Sequence, residues 1–248
     1  MIDAQTRKKI IVEYYDNYAQ KYGEEYKTTI AGRYFLKKKI TLAIKMCGFK
    51  PGDYILDAGC ANGFFSLALA QKGFKVLGVD ISKENIEECK RRAKSMGLKN
   101  AEFMVADLEN LEKIKNNQFD GIISFAALRY VPDIKKAVKE FYRVTKPGGR
   151  IIVDFPNKYS PWFLIFQRFA WKYILPQDEE CDVHSTIRES KRFVESAGFK
   201  QIRVKVDFWI ARTTSDTLAY PFIALDKIMS SLPLVNKLGG AILVKGVK

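Results

Sequence analysis

The 248-residue chain is 47% hydrophobic, which is enough apolar side chain for one substantial core. Its 42 lysines and arginines against 28 acids give a net charge of +14, which favours an anionic partner or simple lysine-rich solubility. The four cysteines form no C-x-x-C pair, which argues against a disulfide framework or a zinc site. No apolar run reaches the ~18 residues of a membrane-spanning helix. With no signal-peptide pattern at its start, the sequence predicts a cytoplasmic protein.

Residues 1–50 carry a helical pattern. Apolar and aromatic side chains recur at helical spacing at positions 10, 11, 14, 15 and 18, and Gly32 and Arg33 mark a short break between helices. We therefore predict an N-terminal helical cap ahead of the first strand.

Residues 54–70 have the pattern of a strand, a turn and a helix. Gly59 and Gly63 allow a sharp turn and let a ligand lie against the backbone at the start of the helix. The spacing of Gly59, Ala61 and Gly63 does not fit the G-x-G-x-x-G fingerprint of dinucleotide sites. Asp57, two residues before the first glycine, suits a cationic group of the ligand better than a phosphate.

Strands and helices alternate five times between residues 52 and 155, which predicts a parallel sheet with helices on both faces. In such a sheet ligands bind beyond the carboxyl ends of the strands. Four side chains fall at these ends: Asp57, Asp80, Asp107 and Phe125. A ligand site is therefore predicted at this edge, although Asp80 and Asp107 could instead cap the segments that follow them.

The turn and the strand ends resemble those of class I S-adenosylmethionine-dependent methyltransferases. The family's D-x-G-x-G-x-G motif matches residues 57–63 with Ala61 in place of the middle glycine, its F-D-x-I-x-S matches residues 119–124, and residues 143–151 match the turn before its fifth strand. The resemblance, closest to the quinone-biosynthesis and small-molecule branch, implies a Rossmann-like, seven-stranded, mostly parallel α/β sheet. It also implies an antiparallel last strand, S-adenosylmethionine as the cofactor and S-adenosylhomocysteine as the product.

The same resemblance assigns cofactor contacts at the strand ends. Asp80 is expected to accept hydrogen bonds from both ribose hydroxyls, because the two oxygens of one carboxylate can serve two adjacent hydroxyls. Asp107 is expected to accept from the adenine amino group. The other assigned contacts are Asp57, Gly59, Gly63, Ile81, Leu108 and Phe125.

Two residues of the N-terminal cap are further candidates. Residues 18–22 resemble the Y-D-x-x-A-x-x-Y segment of the family, which implies that Tyr22 closes over the cofactor; packing on the core is the alternative. Arg33 could bind the carboxylate of the cofactor through charged hydrogen bonds, or it could be a solvated side chain.

Residues 156–184 form an insertion with many aromatic side chains. Trp162, Phe166 and Phe169 share one helical stripe, which either packs on the core or forms a lid or a surface for an apolar partner. His184, the only histidine, ends the insertion, and it resembles a substrate-facing histidine of relatives. His184 and Tyr130 are therefore the candidate catalytic residues, with a structural role as the alternative for both.

Residues 185–248 complete the predicted sheet. Residues 186–189 form a capping box ahead of a helix, residues 199–208 are predicted as a sixth strand, and residues 241–245 as the seventh. Between these strands, residues 209–238 are interrupted by Pro221 and Pro233 and are predicted to form a second cap segment. The whole chain is thus expected to be a single domain whose cofactor-binding core spans residues 52–155.

Several methyltransferase classes are disfavoured. The run Ser124-Phe125-Ala126-Ala127 stands where adenine- and amide-nitrogen methyltransferases carry [N/D]-P-P-[Y/F], and paired metal-binding carboxylates are not evident, so no metal site is predicted. We expect methyl transfer to oxygen or carbon of a small or lipid-like acceptor, with peripheral contact to an anionic membrane. The rivals are an RNA methyltransferase recruited by positive charge and a cofactor-binding module without an acceptor site.

Overall fold

The computed structural model describes residues 3–19, 21–161 and 183–248. Its centre is a seven-stranded sheet, and the aromatic stripe predicted at Trp162, Phe166 and Phe169 lies outside the described residues. The strands are β1 (Tyr54–Ala58), β2 (Lys75–Asp80), β3 (Ala101–Val105), β4 (Phe119–Ser124), β5 (Thr145–Pro156), β6 (Lys200–Asp207) and β7 (Ala241–Val247).

The strand order is β3-β2-β1-β4-β5-β7-β6. The first five strands pair in parallel, whereas β7 runs antiparallel to both of its neighbours, β5 and β6. The predicted Rossmann-like sheet with one antiparallel strand is therefore confirmed. Because the chain order reverses between β1 and β4, the carboxyl ends of these strands border the crevice in which such sheets bind ligands.

Helices cover both faces of the sheet. They are α1 (Ala4–Tyr18), α2 (Glu25–Thr28), α3 (Ile30–Cys47), α4 (Phe64–Ala70), α5 (Lys83–Ser95), α6 (Ile134–Val144), α7 (Ile187–Ser196) and α8 (Asp216–Ser231), with 3-10 turns at Leu128–Tyr130 and Val235–Leu238. Each strand contributes side chains to both faces, because successive side chains along a strand point to opposite sides of the sheet. Ile122 belongs to the apolar cluster around Phe141 of α6, whereas Ile123 belongs to the cluster around Ile40 of α3.

Local sequence signals explain where the core helices begin. The side chains of Ser82 and Asp133 accept hydrogen bonds from backbone N–H groups in the first turns of α5 and α6. Thr186 and Glu189 form the reciprocal capping box that the sequence predicts for α7. These caps satisfy N–H groups that have no partner within the helix.

The second cap segment differs from its prediction. Pro221 does not interrupt it, because α8 continues through this residue. Pro221 lies on the solvent-exposed side of the second turn, where the carbonyl of exposed Thr217 loses its helical partner but remains open to water.

A buried ion-pair network joins α8 to α3 and β6. The Lys38 Nζ atom lies 2.5 Å from Asp207 Oδ1 and 2.5 Å from Asp226 Oδ2, and both aspartates are fully buried. Asp226 also accepts from the Tyr34 hydroxyl at 2.6 Å and from the backbone N–H of Trp209 at 2.6 Å. Because a buried charge is stable only when it is paired and hydrogen-bonded, this network fixes the position of the second cap.

Candidate active site

A cavity lies beyond the carboxyl ends of β1, β2, β3 and β4. It contains about 890 Å³ of space, part of it open to solvent. Eight of the predicted site residues line it: Tyr22, Gly59, Asp80, Ile81, Asp107, Leu108, Phe125 and Tyr130. Helices α1 and α2 and the segment between them complete the wall, through Lys8, Ile11, Tyr15, Tyr22 and Tyr26.

The floor of the cavity is the glycine turn between β1 and α4. Gly59 has φ +81°, and a Cβ atom on it would lie 2.2 Å from the Cβ of Ala127, so only glycine fits. Gly63 does not line the cavity but has φ +87° and begins α4. Ala61, which replaces the middle glycine of the motif, also adopts a left-handed conformation with φ +46°. Such strain is typical of a ligand-binding turn held by its surroundings.

Asp80 links the glycine turn to the next strand end. Its Oδ2 atom accepts from the Ala61 N–H at 2.8 Å, and its Oδ1 atom accepts from the Ser82 N–H at 3.0 Å. Burial raises the pKa of Asp80, although these hydrogen bonds oppose the rise. A carboxylate oxygen can accept more than one hydrogen bond, so Asp80 retains acceptor capacity toward the cavity. Its contact with the ribose remains a prediction.

Asp107 faces α1 across the cavity. The Lys8 Nζ atom lies 2.6 Å from Asp107 Oδ2 and 2.5 Å from Glu109 Oε2. Burial by itself lowers the pKa of Lys8, but the bonds to the two carboxylates outweigh it and raise the pKa. Sequence reasoning missed Lys8 because nothing near residue 8 indicates a partner a hundred residues further along the chain.

Aromatic rings form the wall nearest α2 and the end of β4. The ring of Tyr15 lies 5.4 Å from that of Tyr22 and 5.7 Å from that of Tyr130, both in edge-to-face geometry. Asn62 holds the Tyr22 segment, because its side-chain amide donates to the carbonyls of Tyr22 and Ala19. Phe64, Phe65 and Phe125 extend the wall toward the sheet.

A buried lysine supports this wall from behind. The Lys39 Nζ atom lies 2.5 Å from Asp154 Oδ2 and 5.0 Å from the centre of the Phe125 ring. Asp154 Oδ1 accepts from the Ala126 N–H at 2.6 Å, and Ala126 has φ +56°. The pair therefore fixes the loop after β4 that carries Phe125 and Ala126 into the cavity.

Besides Gly63, three predicted site residues lie outside the cavity lining. Arg33 takes the solvated alternative: its guanidinium donates to the Lys27 carbonyl at 2.8 Å, and it borders a separate shallow groove. Asp57 is buried beneath the turn and accepts from the Ser66 hydroxyl at 2.6 Å, and burial raises its pKa to about 7. It does not line the cavity, and its contact with a cationic group of the ligand stays a prediction.

His184 is the third residue outside the lining. It lies where Val183 donates its N–H to the carbonyl of Arg129, and burial followed by the charge of Arg129 lowers the pKa of His184 to about 4. The imidazole is therefore neutral at physiological pH but a weak base. In the described part of the chain, Tyr130 is the one of the two catalytic candidates that reaches the cavity.

The described residues include no cluster of three or more His, Cys, Asp or Glu side chains that could hold a metal ion. Helices of the same residues are all too short or too polar to cross a membrane.

Comparison with known proteins decides the family. A family model described as a methyltransferase domain matches residues 49–197, which is more than half of the chain. The chain belongs to the S-adenosylmethionine-dependent methyltransferases. Its relatives include the demethylmenaquinone methyltransferase of Symbiobacterium thermophilum, which is 30% identical over 222 residues, covering 87% of this chain and 80% of that protein.

One further relative and one solved structure support the small-molecule branch of the family and the fold. The 2-phytyl-1,4-naphtoquinone methyltransferase of Nostoc sp. is 37% identical over 133 residues, covering 52% of this chain and 58% of that protein. A solved S-adenosylmethionine-dependent methyltransferase of Thermotoga maritima superimposes with a TM-score of 0.68 at 18% identity, covering 95% of this chain and 99% of that one. The former supports the small-molecule branch, and the latter supports the fold.

The cavity fits the cofactor of this family. Gly59 lines the cavity, and the carboxylates of Asp80 and Asp107 face it from two neighbouring strand ends. When bound, S-adenosylmethionine supplies a methyl group on a sulfonium ion. The residues of this chain would hold the cofactor, orient the acceptor and exclude water, and positioning of this kind can account for much of a displacement reaction.

Proposed function

We propose that this methyltransferase transfers a methyl group to oxygen or carbon of a small, apolar, lipid-like acceptor. The observation that carries the proposal is the unequal lining of the cavity. The charged lining residues Lys8, Asp80 and Asp107 are grouped near the ends of β2 and β3. The wall formed by Tyr15, Tyr22, Tyr26, Phe64, Phe65, Phe125 and Tyr130 is aromatic.

An aromatic wall suits an apolar ring or chain better than an ionic acceptor. Burying such a group against it is favourable by about 25 cal/mol per Å² of apolar surface, whereas a phosphate would lose hydration without gaining a charged partner. The two relatives are named as methyltransferases of demethylmenaquinone and of 2-phytyl-1,4-naphtoquinone. Acceptors of that kind are apolar ring compounds, which suit an aromatic wall.

The same lining weighs against RNA as the acceptor. Among described lining residues, Lys8 is the cation, and it is already bonded to two carboxylates. Affinity for RNA depends on cations that neutralise phosphates. The net charge of +14 could still attract RNA elsewhere on the surface, so the experiment must compare both acceptors directly.

The test is to incubate the purified chain with S-adenosylmethionine labelled in the methyl group and either a lipid extract or total RNA. We expect label in the organic phase of the lipid reaction and none in RNA. Asp80→Asn should remove more than nine-tenths of the label in the organic phase. A charge-assisted hydrogen bond to the cofactor contributes about 1.5–3 kcal/mol, and its loss should weaken cofactor binding tenfold or more. Glu87→Gln, which removes an exposed carboxylate on α5, is the matched control and should keep full labelling.

Two results would contradict the proposal. Label in RNA alone would identify an RNA methyltransferase. Tight binding of S-adenosylhomocysteine without label in either fraction would identify a cofactor-binding module without methyl transfer.

A further inference from the structure

The solvent-facing side of α8 has an unusual composition. On a helical wheel of 100° per residue, positions 217, 220, 221, 224, 225, 228, 231 and 232 lie within about 70° of the point opposite the buried residues Ala219 and Asp226, and all eight are uncharged. Leu218 and Lys227 lie at the two edges of this side, about 90° from that point. Leu218, Leu225, Ile228 and Leu232 on this side are 41–57% exposed. A solvated helix normally carries charged and polar side chains there.

The apolar surface continues beyond the helix. Leu234 is 72% exposed, Leu238 lies in the following 3-10 turn, and Tyr220 stands at the edge of the helix face. Of the eleven large apolar side chains exposed in the described part of the chain, seven lie between residues 218 and 238. We call these seven residues the α8 patch. Such a concentration marks an interaction surface rather than scattered exposure.

The charges around the α8 patch are positive. Lys227 on α8 and Lys237 in the following turn are exposed, and exposed Lys158 is next to Asn157, whose side chain donates to the Lys237 carbonyl at 3.0 Å. The two acidic residues of α8 lie away from these lysines or are paired: Asp216 is the first residue of the helix, and Asp226 is paired with Lys38. Asp226 is buried, and the carboxylate of Asp216 accepts from the Ile30 N–H at 2.7 Å.

We propose that the α8 patch docks the protein on the surface of an anionic lipid bilayer. An apolar face bordered by lysines is the arrangement of interfacial helices, whose apolar side enters the boundary of the acyl chains while the cations meet acidic headgroups. Exposed Tyr159 and Tyr220 at the margin have the amphipathic rings found at the headgroup level.

A second copy of the chain fits the α8 patch less well. A two-fold contact would bring the same surface of both copies together, and with it the lysines at its border. An anionic bilayer instead complements those lysines. The exposed leucine at position 234 lies outside the helix, where it would interrupt straight helix pairing but can enter lipid.

The docking surface lies on the same cap as one wall of the cavity. Arg212, four residues before α8, lies 4.8 Å from the centre of the Tyr22 ring and 3.0 Å from the Glu25 carboxylate. A bilayer on α8 would therefore contact the cap that borders the acceptor wall. The docking itself does not depend on the acceptor and can be measured without one.

The experiment is co-sedimentation of the full chain, without cofactor or acceptor, with phosphatidylcholine vesicles that contain or lack phosphatidylglycerol. We expect binding to the anionic vesicles and little to the neutral ones. The double variant Leu225→Ser with Ile228→Ser should bind about tenfold less tightly or worse, because apolar insertion supplies much of the affinity. Lys227→Ser and Lys237→Ser should each weaken binding roughly fivefold.

The matched control is Met96→Ser with Val105→Ser, which removes two apolar side chains of similar exposure, 43% and 45%, from other surfaces. It should bind vesicles like the original chain, and thermal melts should show that both double variants are folded. Failure of the original chain to bind anionic vesicles, or equal loss in the control, overturns the proposal. Sedimentation velocity that shows a dimer, dissociated by the Leu225→Ser and Ile228→Ser changes, would assign the α8 patch to a second copy.

Discussion

The two long helices of the N-terminal cap border the site in different ways. Helix α1 crosses the cavity and buries none of its side chains, whereas α3 buries six residues, among them Ile40 and Ala43. Polar contacts at the surface hold α1: Lys8 pairs with Asp107 and Glu109, and Asp16 accepts from the Ser82 hydroxyl at 2.5 Å.

We therefore call α1 the movable cover of the cavity and α3, with its partner α8, the fixed support. Partly exposed ion pairs contribute about 0–1 kcal/mol each, and the side chains of α1 are at most partly buried, so α1 should leave the cavity at lower cost than α3 would leave the sheet. Removing one partner of a buried pair costs about 3–5 kcal/mol, so α3 and α8 stay together. Because a cofactor must enter beneath α1, weak attachment of this helix would let the cavity open without disturbing the sheet.

The largest expected effect comes from the fixed support. Asp226→Ala should lower the free energy of unfolding by about 3–5 kcal/mol, because Lys38 loses one of its two carboxylates while Tyr34 and the backbone N–H of Trp209 lose their acceptor. Urea unfolding measures the change. Asp16→Ala, which removes a carboxylate that holds α1, is the matched control and should cost less than about 1.5 kcal/mol. Equal losses would show that the two helices are held alike.

An intermediate effect should appear in hydrogen exchange. Without ligand, the backbone amides of α1 should exchange at least about tenfold faster than those of α3, because the side chains of α1 are at most partly buried whereas α3 has six buried residues. Saturating S-adenosylhomocysteine should slow exchange in α1 and leave α3 nearly unchanged. Mass spectrometry of peptides from the two helices tests both statements, and protection confined to α3 would reverse the assignment of cover and support.

The smallest effect is expected at the pair between α1 and β3. Lys8→Met should lower the free energy of unfolding by less than Asp226→Ala does, because the Lys8 side chain is 26% exposed, although Glu109, at 7%, loses its cation. It should speed both association and dissociation of S-adenosylhomocysteine in stopped-flow measurements, since α1 opens more often. Lys9→Met, at the exposed neighbouring position, should leave both rates unchanged; a rate change there would point to net charge instead.

What the sequence could predict depended on how local each signal was. The glycine turn, the strand ends at Asp80 and Asp107, and the caps at Ser82 and Thr186 follow from a few neighbouring residues, and the structure contains all of them. The family motif made these signals specific by repeating them in a fixed order.

Residues whose role depends on the placement of distant elements could not be predicted. Arg33 follows a break between helices that looks suitable for a ligand contact, but the rotation of α3 turns it toward a different groove. Lys8 and Lys39 reach partners about a hundred residues away, at Asp107 and Asp154. No periodicity or cap in the sequence encodes such pairs, because they arise only when the helices pack on the sheet.

The placement of β7 between β5 and β6 has a consequence for synthesis. On the ribosome, β6 emerges before β7, yet β7 is its neighbour in the sheet. Until β7 has been made, β6 has no strand to pair with and β5 presents an open edge, a situation that invites contact with other nascent chains. The parallel half of the sheet can form earlier, so the edge strand is expected to be the last part of the sheet to become protected from aggregation.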